Sequence, residues 1–127
     1  MSSGSPTSNM GSSSEMIVRC CSTGSIFHSL LKFDLRQLNS GNLTGIVITS
    51  VELRLFMHDG PDSSRTYGAF SSTNTTWTEG SVTYTNFGGA ATFNSLPQLV
   101  TTTAGTSNNV FVSWTGSSLT TYFQNAT

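Results

Sequence analysis

The chain's 127 residues suffice for one domain that buries roughly two thirds of its unfolded surface without metals or disulfide staples. A net charge of −1 and 9% charged residues, against about 25% in ordinary soluble proteins, exclude the electrostatic footprint of a nucleic-acid or anionic-membrane binder. Ser and Thr fill about a third of the positions, so hydroxyls and not charges hydrate the surface, while eight Phe and two Trp in short apolar runs exclude a disordered chain.

Residues 1–14 are mostly Ser, Gly, Pro, Thr and Asn and read as a flexible arm before a single domain at 15–127. They contain no basic region followed by an apolar run, so no secretory signal is expected in this sequence. No segment approaches about 18 apolar residues, the least that crosses a bilayer as a helix. A first strand is expected at residues 15–20, with Met16, Val18 and Cys20 sharing a face. Cys20 and Cys21 are neighbours with neither metal spacing nor a redox motif, and are read as structural, one of them a small buried hydrophobe. A second strand at 28–35 would turn Leu31, Phe33 and Leu35 inward, and a loop follows at 39–42.

The clearest strand spans residues 48–58, where Val51, Leu53, Leu55 and Met57 alternate with Glu52, Arg54, Phe56 and His58. A period of two is the mark of a sheet with one packed face and one wet face. Asp59-Gly60-Pro61-Asp62 ends it with turn chemistry, and two carboxylates without further oxygen donors make a poor calcium loop. Further strands are expected at 65–71, 82–85, 98–103 and 109–114, the last with Val110, Val112 and Trp114 on one face. Residues 117–124 fit either a helical turn bearing Leu119, Tyr122 and Phe123 or a short strand. The whole reads as an all-β, antiparallel, jelly-roll-like β-sandwich of about seven or eight short strands. Trp77, Leu53, Leu55, Phe33 and Val112 are expected to form its core.

Little in the chain suggests catalysis. No second carboxylate is spaced to pair with Glu79 across a cleft, and His28 and His58 read as satisfied strand-end residues without metal partners. There is no nucleophile elbow and no phosphate loop, and no cofactor is expected. Aromatic side chains that could hold a sugar or a partner are Phe56, Tyr67, Phe70 and Tyr84. Phe56 stands out because its neighbours of the same parity are polar.

Three stretches together resemble the DNRLRE-type domain, a β-sandwich of bacterial surface proteins related to polysaccharide-binding modules. They are Pro6, Asn9 and Gly11 leading into residues 15–18, the pair 30–35 and 48–56, and the segment Trp77-x-Glu79-x-x-Val82-Thr83-Tyr84-x-Asn86. The resemblance implies a structural role for Trp77, Glu79, Thr83 and Asn86: Trp77 plugs the sandwich while the Glu79 carboxylate accepts backbone N–H groups at the turn. The family's further first and last strands have no counterpart here.

The main reading is therefore a non-catalytic structural or assembly protein, such as a virion decoration or surface-fibre component, located on a virion or outside the cell. Its protein partners would join through a sheet edge, since residues 98–103 and 109–114 lack the Lys or Pro that blunts edges, and through the arm of residues 1–14. The alternative, favoured by the resemblance, is a carbohydrate-binding module with a polysaccharide as partner. Neither reading involves nucleic acid or a membrane.

Overall fold

The computed structural model describes residues 1–19 and 24–127, so Cys20 and Cys21 lie outside the described residues. The chain divides into two compact units, Met1–Phe33 with Ser72–Leu96, and Asp34–Ser71 with Pro97–Thr127. Among the described residues its strands form two small antiparallel sheets, joined by long stretches of turn and loop and by short helices.

The four strands found among the described residues belong to the second unit: β1 (Glu52–Met57), β2 (Arg65–Phe70), β3 (Gln98–Ala104) and β4 (Val110–Thr115). β1 pairs with β4, and β2 with β3. In the first pair Leu53 lies opposite Trp114, Leu55 opposite Val112 and Met57 opposite Val110, so one face of the ribbon is apolar throughout. Trp114 is buried on that face, and its indole N–H donates to the Tyr67 carbonyl of β2 at 3.0 Å, joining one sheet to the other. β2 and β3 carry a bulge at Ala69/Phe70, which sets Phe70 opposite Gln98. Helix α2 (Ser117–Gln124) follows β4 and buries Leu119. The Gln124 amide clamps the approach to β1, donating to the Ile46 carbonyl at 2.9 Å and accepting from the Ile48 N–H at 2.5 Å. Residues Leu35–Gly41 form 3-10 turns interrupted at Leu38, Asn39 and Ser40, with Asp34 capping the start.

The first unit gathers Met1, Val82 and Phe87 in a small core, flanked by Leu30, Trp77, Tyr84 and Phe93. Helix α1 (Gly89–Ser95) follows Gly88, whose φ of 115° only glycine adopts without strain. Phe93 of α1 stacks on His28 at 3.9 Å between ring centroids and on Phe87 at 5.2 Å. Met1 and Ser2 are buried, Ser2 bridging to Phe27, so the chain's first residues are packed in this unit.

Asn9 ties this part of the chain to the Trp77 segment. Its amide donates to the carbonyls of Glu79 and Val82 at 2.8 and 2.7 Å, while its Oδ1 accepts from the Gly11 N–H at 3.0 Å. A Cβ at Gly11 would overlap the Glu79 carbonyl, which explains the glycine. Asn9→Ala removes three hydrogen bonds, of which only the one to the Val82 carbonyl is partly buried, and is expected to cost about 0.5–1.5 kcal/mol. Thermal unfolding of this variant, with Asn9→Asp destabilised at least as much because a carboxylate would face two carbonyls, checks the tie.

The all-β expectation is met in part, and the single core expected from Trp77, Leu53, Leu55, Phe33 and Val112 is corrected. Four strands form among the described residues. Residues 15–19 reach only an isolated bridge, Arg19 to Phe27, and residues 28–34 form no ladder, with Phe33 53% exposed. Alternation alone does not make a strand; it needs a partner to receive its N–H and C=O groups. Residues 82–85 spend theirs in turns and single distant bonds: Phe87 N–H reaches Thr83, Gly89 N–H reaches Tyr84, and Thr85 N–H donates to the Pro6 carbonyl at 2.9 Å without forming a ladder. Trp77 packs with Val82 and Phe87, whereas Leu53, Leu55 and Val112 line the β1–β4 ribbon of the other unit.

Candidate functional site

Strand periodicity turns Glu52, Arg54 and Phe56 of β1 to the face opposite the core, and the antiparallel register sets Thr115, Ser113 and Phe111 across from them. Phe56 and Phe111 are 54% and 60% exposed. They meet edge-on, with centroids 5.2 Å apart and planes at 69°, forming an open aromatic corner. The Arg54 guanidinium lies 4.5 Å from the Phe111 centroid, a cation–π contact on the exposed face. Ser113 donates to the Glu52 carboxylate at 2.6 Å. Each ring is little more than half exposed and so forgoes about half of the roughly 1.5–3 kcal/mol that full burial would bring; what sets this pair apart from the other exposed apolar residues is that the two rings meet among oriented polar groups.

At the Glu52–Thr115 end the same face opens into a groove of about 590 Å³, within the range of ligand sites. Its walls carry the hydroxyls of Thr49, Ser50, Thr115, Ser117, Thr120 and Thr121 beside Glu52. A smaller recess in the other unit, about 130 Å³ beside Trp77 and Asn86, falls below that range.

The remaining candidate residues are distributed elsewhere. Phe70 is exposed on β2 with its ring over Gly68, where a Cβ would come within 2.6 Å of Cε2. Tyr67 is half-buried on the opposite side of β2. Tyr84 belongs to the other unit, stacked 5.3 Å from Phe93 and 6.2 Å from His28. The structure thus joins Phe56 not to these but to Phe111. The signal for Phe111 was present, since Val110, Val112 and Trp114 facing in force residues 111 and 113 out.

The Trp77 segment is held by its own turns. Thr83 N–H donates to Asn86 Oδ1 at 2.8 Å, Asn86 N–H returns to Thr83 Oγ1 at 3.1 Å, and Asn86 Nδ2 reaches the Ser81 carbonyl at 2.8 Å. Lys32 lies 5.0 Å from the Trp77 ring centroid and donates to the Trp77 and Thr75 carbonyls at 3.1 and 2.7 Å. Glu79 contributes its backbone carbonyl to Asn9, and its side chain is exposed. His28, stacked among aromatic rings, has its pKa lowered by burial and secondarily by the positive amino group of Met1, which donates to the His28 carbonyl at 2.8 Å. Among the described residues no three His, Cys, Asp or Glu side chains gather to hold a metal, and no helix is long and apolar enough to cross a membrane.

The sequence model of carbohydrate-binding module family 96 matches residues 1–115, so the chain belongs to that family. The match carries the polysaccharide-binding half of the sequence resemblance and does not name the DNRLRE type. Neither the curated proteins nor the solved structures give a match to this chain.

Proposed function

We propose that this member of carbohydrate-binding module family 96 is a non-catalytic module that binds polysaccharide outside the cell on the outer face of the β1–β4 ribbon. The exposed Phe56–Phe111 corner carries the reading. The C–H face of a sugar ring is apolar and stacks on a phenyl ring, while its equatorial hydroxyls need oriented donors and acceptors at the rim. Arg54 supplies donors, and Glu52, fixed by Ser113, supplies acceptors on the same face. The family match supports this alternative over an assembly role, and nothing found points to a virion.

Phe56→Ala and Phe111→Ala test the reading, because both rings are exposed and their removal should leave the fold intact. In affinity gels and titration calorimetry with a polysaccharide panel, each is expected to weaken binding by about tenfold or more, equivalent to about 1.4 kcal/mol. Unchanged affinity in the double variant would place the site elsewhere.

A further inference from the structure

Resting on the proposed reading for the class of ligand but not for where it binds, we infer that the β2–β3 ribbon carries a second polysaccharide-binding platform, built on Phe70. Gly68 stands in the middle of β2, where a residue without a side chain weakens a strand and marks a close approach by another group. That group is Phe70. A Cβ at Gly68 would come within 2.6 Å of its Cε2 and 2.9 Å of its Cζ, so the ring lies down over the strand. The bulge between Ala69 and Phe70 comes immediately before it, and bulges of this kind re-aim a side chain. With one side of the ring on Gly68, Phe70 still keeps 49% exposure. A ring held flat on the sheet, with its other side in water, is the shape on which the apolar C–H face of a sugar stacks.

The antiparallel register supplies the rim. Thr66 lies opposite Thr103, with hydroxyls 3.4 Å apart, while Thr101 lies opposite Gly68 and Gln98 opposite Phe70. All of these residues are exposed. Threonine hydroxyls and a glutamine amide both donate and accept, as the hydroxyls around a sugar ring require. The other side of the ribbon is committed to packing. Tyr67, Ala69 and Val100 are half-buried there, and Val100 comes within 3.3 Å of where a Cβ of Gly116 would stand.

The make-up of the exposed row also selects its occupant. A second copy of the chain, or another protein, would need about 20–30 residues a side around an apolar centre. This row offers one phenyl ring among threonines, a glycine and an amide. A sugar chain needs one ring and a hydrogen-bonding rim, and the family match over residues 1–115 spans both strands. Two platforms make the module bivalent, so a polymer that engages both is held more tightly than a short oligosaccharide on either.

The test uses the full chain, the polymer it binds most tightly from a panel of acidic and uncharged polysaccharides, and a tetrasaccharide cut from that polymer. Calorimetry and amide chemical-shift mapping are the readouts. The variants are Phe70→Leu, which keeps an apolar cover on Gly68 but loses the flat ring, Phe70→Tyr, which keeps the ring, and Phe111→Ala, each with its melting temperature recorded. Two tetrasaccharides are expected per chain, with shifts at residues 66–70 and 98–103 as well as at 52–56 and 111–115. Phe70→Leu should abolish the shifts at 66–70 and 98–103, leave one tetrasaccharide bound and weaken polymer binding about tenfold or more, whereas Phe70→Tyr should keep both sites. One tetrasaccharide per chain with no shifts at 66–70 and 98–103, or shifts there that Phe70→Leu leaves unchanged, would overturn the inference and leave the Phe56–Phe111 site standing. Shifts at 66–70 that survive Phe111→Ala, with none at 52–56, would keep the Phe70 platform and remove the other site. Binding to no polymer would remove both.

Discussion

Trp114→Ala is expected to destabilise the protein by about 3–5 kcal/mol, the range for deleting a large buried aromatic side chain. Trp114 is only 9% exposed, stands opposite Leu53 in the β1–β4 register, and is followed by α2 with the buried Leu119. Its loss opens a cavity on the apolar face of the ribbon and frees the Tyr67 carbonyl from its 3.0 Å hydrogen bond. For a chain of this size the effect corresponds to a fall in Tm of roughly 10–20 °C. Trp114→Phe separates the two contributions. It keeps most of the apolar volume and loses the N–H donor, so about 1–2 kcal/mol is expected. Urea unfolding followed by circular dichroism measures both. A Trp114→Ala midpoint within the error of the parent would mean that the indole is not part of the packed face.

Phe87→Ala is expected to cost a similar amount, about 3–5 kcal/mol, in the other unit. Phe87 is 3% exposed in the cluster with Met1 and Val82, and its ring packs on Phe93, which in turn stacks on His28. The residue sits where a turn closes, its N–H donating to the Thr83 carbonyl at 3.1 Å. Phe87→Leu preserves the apolar character and much of the volume, and should cost less than about 1.5 kcal/mol. Amide exchange at residues 82–93 should accelerate in Phe87→Ala. Unchanged exchange there, with a stability change below about 1 kcal/mol, would contradict the packing.

The functional face was half legible in the sequence. Phe56 among Glu52, Arg54 and His58 breaks the polar run of its strand, and that oddity is visible without a structure. Phe111 is as exposed as Phe56, yet by sequence it is one aromatic residue in an apolar strand. It becomes part of a site only because β4 pairs antiparallel with β1 in the register that sets residue 111 opposite 56. The Trp77 segment was legible as a motif, but not in its workings: the groups that Asn9 holds are the backbone carbonyls of Glu79 and Val82, which every residue type carries.

Alternation is a covalent property of the extended chain, so the sequence by itself determined the packed and wet sides of residues 51–57 and the low-charge hydroxyl surface, whereas in β4 burial departs from the alternation, with Val110 exposed and Ser113 half-buried. The sequence also left residues 117–124 open between helix and strand, and burial of Leu119 against the unit decided for the helix. Which strands exist at all was a tertiary matter. Residues 28–34 and 82–85 have strand-like composition, but a strand is stabilised by a run of hydrogen bonds to a neighbour distant in sequence, and these segments found only single ones, His28 N–H to Met1 and Thr85 N–H to Pro6, beside turns and side-chain contacts. Pairing across some 60 residues, as between Leu53 and Trp114, depends on which segments can close a loop and bury their apolar faces together. That competition built the aromatic corner and the groove beside it, and no local pattern records its outcome.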